Sequence, residues 1–348
     1  MTDQDYLDLA VAQARRGTGQ TWTNPLVGAV LVKDGQILAK GYHHRFGQDH
    51  AEVNALKQLA DERQARGTTL YVTLEPCSHY GKTPPCARKL VTVGVTRVVI
   101  GQRDPNPLVS GKGIAILRAA GIAVTVLETT KALNPAYNFF YHHHRPLVTL
   151  KMAVSVDGKL NATTGQRTEL TGPEANHDSQ RLRATQQAIL IGERTLTVDQ
   201  PALTVRETTV AVPPRRVVVV NAADKLDRDN RLFQTPEPVW LLSRQPSHQP
   251  WPASVTVVAG RPWTPDQIVQ YLAEQGLQSL LVEGGSHLHA QFVAAGVVDR
   301  VVTYVAPLLL GGQALPAVLG PASQRLTLSL TGVQPLGADV RLTFRRRG

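Results

Sequence analysis

Only two cysteines occur in this 348-residue chain, and both fall in one short stretch, Glu75-Pro-Cys-Ser-His-Tyr-Gly-Lys-Thr-Pro-Pro-Cys86. Upstream stands His50-Ala-Glu52. A zinc ion that activates water needs three protein ligands and one open position, and an imidazole with two thiolates suits its preference for nitrogen and sulfur. His50, Cys77 and Cys86 supply that set. Three ligands drawn from separate points of the chain oblige a helix start near 50 and a strand end near 75 to meet, so the fold must close around them. Glu52, two residues past the histidine, is the carboxylate placed to shuttle protons from water to an attacked ring and to departing ammonia.

The His-x-Glu and Pro-Cys pattern is the signature of zinc nucleobase deaminases. It departs from the common form in one respect. Eight residues separate the two cysteines, where most members have Cys-x-x-Cys.

A chain of this length exceeds one typical hydrophobic core, and two domains are expected. The first ten residues carry three aspartates and no basic residue, and no apolar run approaches membrane-spanning length, so neither a secretory signal nor an anchor is expected. Two cysteines committed to metal leave none for a disulfide framework, which fits a reducing cytoplasm. The formal charge of +10 raises the question of nucleic acid, but the excess is spread over both halves and suits phosphorylated small molecules equally well. The densest basic cluster, Arg345-Arg346-Arg347, reads as a frayed, solvated tail.

Taken in order, residues 3–16 predict a helix; the stretch Asn24 to Val32 leads into a strand, Asp34-Gly35 predicts a hairpin turn, and Gln36 to Tyr42 the return strand. Gly28 reads either as a close backbone approach to a ligand or as a bulge. Residues 50–65 predict a helix carrying the metal histidine and Glu52 in its first turn. Strand 69–74 then delivers Glu75 to Cys77 at its C-terminal end, where open α/β sheets place their sites. Cys86 opens the next helix, followed by strand 96–101, helix 112–121 and strand 122–127. The break from Asn134-Pro135 to Arg145-Pro146 marks a domain boundary, giving domains 1–145 and 146–348. His142-His143-His144 reads as linker, since three consecutive imidazoles cannot all face one ion in regular structure.

The second half predicts strands at 147–154, 187–192, 215–221, 239–243, 278–283 and 299–305, with helices at 173–185, 264–276 and 286–296. Its most chemical stretch is Leu280-Leu-Val-Glu-Gly-Gly-Ser286, a strand entering a glycine turn and a helix whose first amides can cradle phosphate. The same pattern serves as a tight strand-to-helix connection, and it is not the Gly-x-Gly-x-x-Gly of a Rossmann fold.

Taken with His50-Ala-Glu52 and Arg103-Asp-Pro-Asn-Pro107, the spacer between the cysteines closely resembles the deaminase half of the bifunctional riboflavin-biosynthesis deaminase-reductases. The likeness continues through Lys151-Met-Ala-Val-Ser-Val-Asp-Gly158, Leu182-Arg-Ala184, Thr195-Leu-Thr-Val-Asp-Gln-Pro-Ala-Leu-Thr-Val-Arg206 and Val282-Glu-Gly-Gly285. It implies an α/β chain with a cytidine-deaminase-like three-layer domain followed by a dihydrofolate-reductase-like domain. It also implies two steps: hydrolysis of the 2-amino group of a phosphoribosylated diaminopyrimidine, then NADPH reduction of the product's ribosyl group to ribityl.

By the same resemblance, Asn24 and His43 orient the pyrimidine, Lys82 and Thr83 take the phosphate, and Asp104 and Asn106 lie on the ribose side. In the reductase, Lys151, Arg167, Arg183, Leu203, Arg206 and Glu283 line the substrate side. Ala153, Glu169, Thr195, Asp199, Gly284, Gly285, Ser286 and His287 line the cofactor. Members of the family commonly form homo-oligomers. Arg167 and Glu169 are departures, standing where many members carry serine and tryptophan, and they make reduction the less secure of the two steps. Two other readings stay open: a nucleobase deaminase with a degenerate second domain, and an RNA-binding protein with a structural zinc.

Overall fold

The computed structural model describes residues 1–78, 85–163, 165–166, 168–320 and 325–347, so the expectations for Lys82, Thr83 and Arg167 lie outside the described residues. The chain divides into two compact units, Met1–His144 and Arg145–Gly348.

In the first unit, strands β1 (Gly28–Lys33), β2 (Gln36–Tyr42), β3 (Thr69–Val72), β4 (Arg97–Ile100) and β5 (Ala123–Val126) form one sheet in the order β2-β1-β3-β4-β5. Pairs β2-β1 and β1-β3 are antiparallel; β3-β4 and β4-β5 are parallel. The period-two alternation of a strand sorts its side chains onto two faces. Val30, Val32, Tyr71 and Val99 pack against Tyr6, Leu7 and Ala10 of helix α1 (Asp3–Arg15). Ala29, Leu31, Leu70, Val72, Val98 and Ile100 face the opposite way, onto α2 (Ala51–Leu56), α3 (Cys86–Val93) and α4 (Lys112–Ala119). The result is three layers.

Gly28 has neither of its expected roles: a Cβ there would lie 1.9 Å from the Ala10 carbonyl oxygen, so its bare backbone lets α1 close onto β1. Helix α2 is shorter than the expected 50–65. It stops at Leu56, and only a 3-10 turn over Glu62–Ala65 follows, where the Asp61 side chain accepts from the Arg63 amide at 2.9 Å and offers the backbone a local alternative to the helix. The segment expected as a linker contains α5 (Pro135–His143), with proline at the first-turn position that tolerates its missing N–H. His142 bonds the Asn138 carbonyl and His144 is the left-handed C-cap, so this histidine run terminates a helix.

The second unit is a nine-stranded sheet in the order β10-β9-β8-β7-β11-β6-β12-β14-β13. Its strands are β6 (Leu147–Ser155), β7 (Ala188–Gly192), β8 (Arg215–Val220), β9 (Val239–Ser243), β10 (Val255–Val258), β11 (Ser279–Val282), β12 (Arg300–Ala306), β13 (Leu328–Leu336) and β14 (Asp339–Arg346). All pairs through β12 are parallel, and the last hairpin is antiparallel. Helices α6 (Pro173–Ala184), α7 (Glu193–Asp199), α8 (Pro265–Glu274) and α9 (Ser286–Ala294) connect the parallel strands. Strands β10, β13 and β14 and helix α7 escaped the sequence reading. Pro335 obscures the β13 pattern, and proline is tolerated there because β13 is an edge strand. The arginine run is therefore no frayed tail: Arg345 and Arg346 end β14, and the Arg347 amide donates to the Thr327 carbonyl at 2.9 Å. No helix among the described residues is long and apolar enough to cross a membrane.

Arg216 is the largest fully buried side chain of the molecule, 1 % exposed. Its guanidinium donates to the carbonyls of Ala202 and Leu232, both at 2.9 Å, to Thr235 Oγ1 at 2.7 Å and to the Glu237 carbonyl. It ties the loop after α7 to the turn before β9. Removing it leaves several buried acceptors unpaired, so Arg216→Met is expected to destabilise the second unit by about 3 kcal/mol. Urea denaturation checks this, and a loss below about 1 kcal/mol would show that the carbonyls find other donors.

Candidate active sites

The first site forms where α2, the end of β3 and the start of α3 converge. His50 is the extended N-cap of α2, one position before the helix in which it was expected. Cys86 begins α3 and donates its amide to Cys77 Sγ at 3.3 Å. His50 Nδ1 lies 3.5 Å from Cys77 Sγ and 3.3 Å from Cys86 Sγ, and the three donor atoms all fall within 4.8 Å of one another. Donors around a tetrahedral zinc are separated by roughly 3.8 Å, so the residues fit that ion. They are the only such grouping among the described residues.

The electrostatics are those of crowded ligands. The hydrogen bond from the Cys86 thiol holds Cys77 down to about 4, and the neighbouring Cys77 sulfur pushes the His50 imidazole up to about 9 against the effect of burial. Glu52, 3 % exposed, lies against Cys86 and His50. Burial raises its carboxyl above the ordinary range, only partly offset by His50, which suits a group that must both take and give a proton.

Two expected pyrimidine contacts stand beside the metal histidine. The His43 ring meets His50 edge-on with centroids 5.6 Å apart. Its Nδ1 faces the Asp49 carbonyl at 2.9 Å and its Nε2 faces Asn24 Nδ2 at 3.1 Å. Burial lowers the His43 pKa, and in the neutral ring that satisfies both partners Nδ1 donates and Nε2 accepts. Asn24 must then present its amide nitrogen to His43, leaving Oδ1 for a ligand. Asp104 is buried, with Oδ1 accepting from the Asn106 amide at 2.8 Å and from Tyr137 Oη at 2.9 Å, and Asn106 donates to Tyr141 Oη at 3.2 Å.

Glu75, which the sequence reading grouped with the motif but gave no role, holds this wall in place. Its buried carboxylate accepts from the amides of Asp104 at 3.3 Å, Gly111 at 3.0 Å and Ile114 at 3.2 Å. A Cβ on Gly113 would stand 2.0 Å from the Pro76 carbonyl, so α4 seats directly on the metal-bearing turn.

In the second unit, two contiguous cavities open at the C-terminal ends of the parallel strands, where open α/β sheets bind ligands. One, of about 380 Å³, is lined by Lys151, Ala153, Glu169, Arg183, Leu203, Arg206 and Glu283 among others. The other, of about 590 Å³, holds Gly285, Ser286 and His287 at the start of α9. Thr195 and Asp199 border both. Ala153 and Glu169, expected beside the cofactor, thus line the cavity that contains Lys151. Gly284 lines neither: a Cβ there would lie 2.3 Å from Leu288 Cδ2, so it serves close packing of strand on helix.

Arg183 does not offer its fork to a phosphate, because Nε and Nη2 pair bidentately with Glu283 at 2.8 and 2.5 Å. Burial alone would raise the Glu283 carboxyl, but the charges of Arg183 and Lys151 hold it down to about 2. Burial also lowers the Lys151 ammonium, whose Nζ stands 5.5 Å from the Tyr304 ring centroid. Leu203 takes a positive φ of 53°, a strained conformation for a branched side chain, fixed by the Arg216 bond to the preceding carbonyl. Gln180 and Arg231 in the first cavity, and Arg194, Asn221 and Arg244 in the second, were missed. Their one sequence signal is position, since Asn221 and Arg244 each follow a strand.

A zinc-binding deaminase unit followed by a reductase unit is the class these two sites define. The comparisons agree: residues 1–102 match the cytidine and deoxycytidylate deaminase zinc-binding region, and residues 146–342 match the RibD C-terminal domain. The chain is 38% identical to the riboflavin biosynthesis protein RibD of Bacillus amyloliquefaciens, covering 98% of this chain and 95% of that protein. To the Escherichia coli RibD it is 36% identical, covering 98% and 99%. Among solved structures, Acinetobacter baumannii RibD superposes with a TM-score of 0.90 at 35% identity, covering 99% of both chains. The Thermotoga maritima diaminohydroxyphosphoribosylaminopyrimidine deaminase/5-amino-6-(5-phosphoribosylamino)uracil reductase gives 0.89 at 31%, again with 99% of both covered. The chain belongs to the RibD family and is a bifunctional deaminase and reductase of riboflavin biosynthesis. Its units have the cytidine-deaminase-like and dihydrofolate-reductase-like folds expected from the sequence.

Proposed function

We propose that a deaminase domain of residues 1–145 hydrolyses 2,5-diamino-6-(5-phosphoribosylamino)pyrimidin-4-one to 5-amino-6-(5-phosphoribosylamino)uracil and ammonia, and that a reductase domain of residues 146–348 reduces the ribosyl group of that product to ribityl with NADPH. The observation that carries the reading is the convergence of His50, Cys77 and Cys86 beside the buried Glu52. Zinc, held there, supplies a Lewis acid that makes water nucleophilic near neutral pH. Glu52 takes a proton from that water, passes it to the ring nitrogen next to the attacked carbon, and delivers a proton to the amine as the C–N bond breaks. Asn24 Oδ1 accepts from the pyrimidine, with His43 fixing the amide. Asp104 and Asn106 stand on the ribose side, and Lys82 and Thr83 carry the phosphate by the family resemblance.

In the second unit NADPH supplies hydride. Lys151, whose ammonium burial disfavours, would give a proton to the ribose oxygen, and Glu283, braced by Arg183, would orient it. Leu203 packs on the substrate, and Arg206 takes its phosphate, with Arg167 assigned there by the resemblance alone. Thr195, Asp199 and the Gly285–His287 turn receive the cofactor, with Ala153 and Glu169 at the nicotinamide end. The enzyme works in the cytoplasm, as a homo-oligomer.

Mass spectrometry of the products formed from the diaminopyrimidinone with NADPH tests both halves. Exchange of an amino group for oxygen plus gain of two hydrogens is the expected result. Exchange without gain would overturn the reductase assignment and direct attention to Glu169. An unchanged substrate with zinc bound would overturn the deaminase assignment.

A further inference from the structure

The larger cavity of the second unit extends well past the end it shares with the cavity of Lys151 and Glu283. At the shared end stand Thr195 and Asp199; Gly285 to His287 follow; beyond them one side of the cavity is formed by α7 and the ends of β8 and β9, and the other by Asn161, Gln166 and Leu315. A dinucleotide whose nicotinamide meets the substrate at the shared end, with its diphosphate on the first amides of α9, places its adenosine in the rest of this cavity, whose cationic side is the one formed by α7, β8 and β9. This inference rests on the dinucleotide reading proposed above.

That side carries two arginines, Arg194 on α7 and Arg244 just after β9. Both are exposed, and neither guanidinium makes a hydrogen bond or ion pair among the described residues. The carboxylate nearest in sequence, Glu193, is engaged elsewhere. Its Oε2 accepts from both the backbone amide and Nδ2 of Asn221, at 2.9 and 3.2 Å, which braces the end of β8. Dinucleotide sites choose their cofactor at this ribose. A free carboxylate there receives the 2′-hydroxyl of NADH, whereas an arginine accommodates the 2′-phosphate of NADPH. With its acid committed to Asn221 and two unpaired guanidiniums facing the cavity, this wall has the chemistry of the second kind.

We infer that Arg194 and Arg244 together bind the phosphate on the adenosine ribose and are the residues by which this chain selects NADPH over NADH. Glu193 acts as a positioning residue through Asn221. The assignment concerns the cofactor's distal end and takes no part in hydride transfer.

Equilibrium binding of NADPH, NADH, 2′,5′-ADP and 5′-AMP to the full chain, followed by calorimetry, tests the assignment in wild type, Arg194→Gln and Arg244→Gln. Both positions are exposed, so folding is not at stake. Wild type is expected to bind NADPH and 2′,5′-ADP more tightly than their counterparts without the phosphate. Each variant should lose roughly tenfold in affinity for the two phosphate-bearing ligands, the worth of one charge-assisted contact, while affinity for NADH and 5′-AMP moves less than about twofold. Equal losses for both classes, or none, would overturn the assignment and leave the dinucleotide reading standing. Failure of wild type to bind either dinucleotide would overturn that reading and the inference with it.

Discussion

Glu52→Gln is expected to abolish deamination while leaving the metal in place. The amide keeps the size and polarity of the carboxyl but cannot relay a proton, and positioned general acid–base groups are worth roughly a hundred- to ten-thousandfold. Because the proposed relay asks one carboxyl to serve water, ring and leaving amine, the upper part of that range applies. Ammonia release should fall by at least about a thousandfold, with zinc content near that of wild type. Loss of zinc with the activity would assign Glu52 to holding the metal site together. Retention of more than about a tenth of the rate would remove it from the proton path.

The second large effect comes from the metal ligands. Cys86→Ser replaces a sulfur ligand that lies 3.3 Å from His50 Nδ1 by a poorer zinc ligand at a buried helix start. The variant should purify without stoichiometric zinc and lose deamination by more than about a thousandfold, because Glu52 without a Lewis acid cannot make water nucleophilic near neutral pH. Reduction of the independently supplied uracil product should persist, since the second unit has its own core and its own cavities. Concurrent loss of both activities in a soluble, folded variant would contradict the separation of the two chemistries. Treatment of wild type with a strong chelator should reproduce the variant, and added zinc should reverse it.

The deaminase site was legible because its chemistry is packed into short words. Two unique cysteines, a His-x-Glu and a strand ending in Glu75-Pro-Cys77 allow few other readings, and the parallel order of β3, β4 and β5 follows from alternating strand and helix. What escaped is what depends on distant partners. Nothing local in Glu75 announces that its carboxylate gathers the amides of Asp104, Gly111 and Ile114. The resemblance puts Arg183 and Glu283 on the substrate side, and only the fold reveals that Glu283, a hundred residues on, occupies the Arg183 fork. The cavity side assigned above to the adenosine has contributions from α7, from the end of β8 and from the residue after β9, and each is unremarkable alone. Helix α5 is hidden by prolines and histidines that usually punctuate loops, although proline at a first turn permits a helix.

Strand β6 carries a consequence for how the chain is made. It is the first strand of its unit to leave the ribosome, yet its neighbours in the sheet are β11 and β12: Leu147 pairs with Ser279, and Thr149 with Arg300. By then the N-terminal unit, with all three zinc ligands, has long been complete and free to fold and take up metal during synthesis. The C-terminal unit must wait, holding an apolar strand unpaired until nearly the whole chain has emerged. A chain stopped short of Ser279 would therefore carry a metal-loaded deaminase trailing an unpaired strand, a natural target for chaperones and proteases.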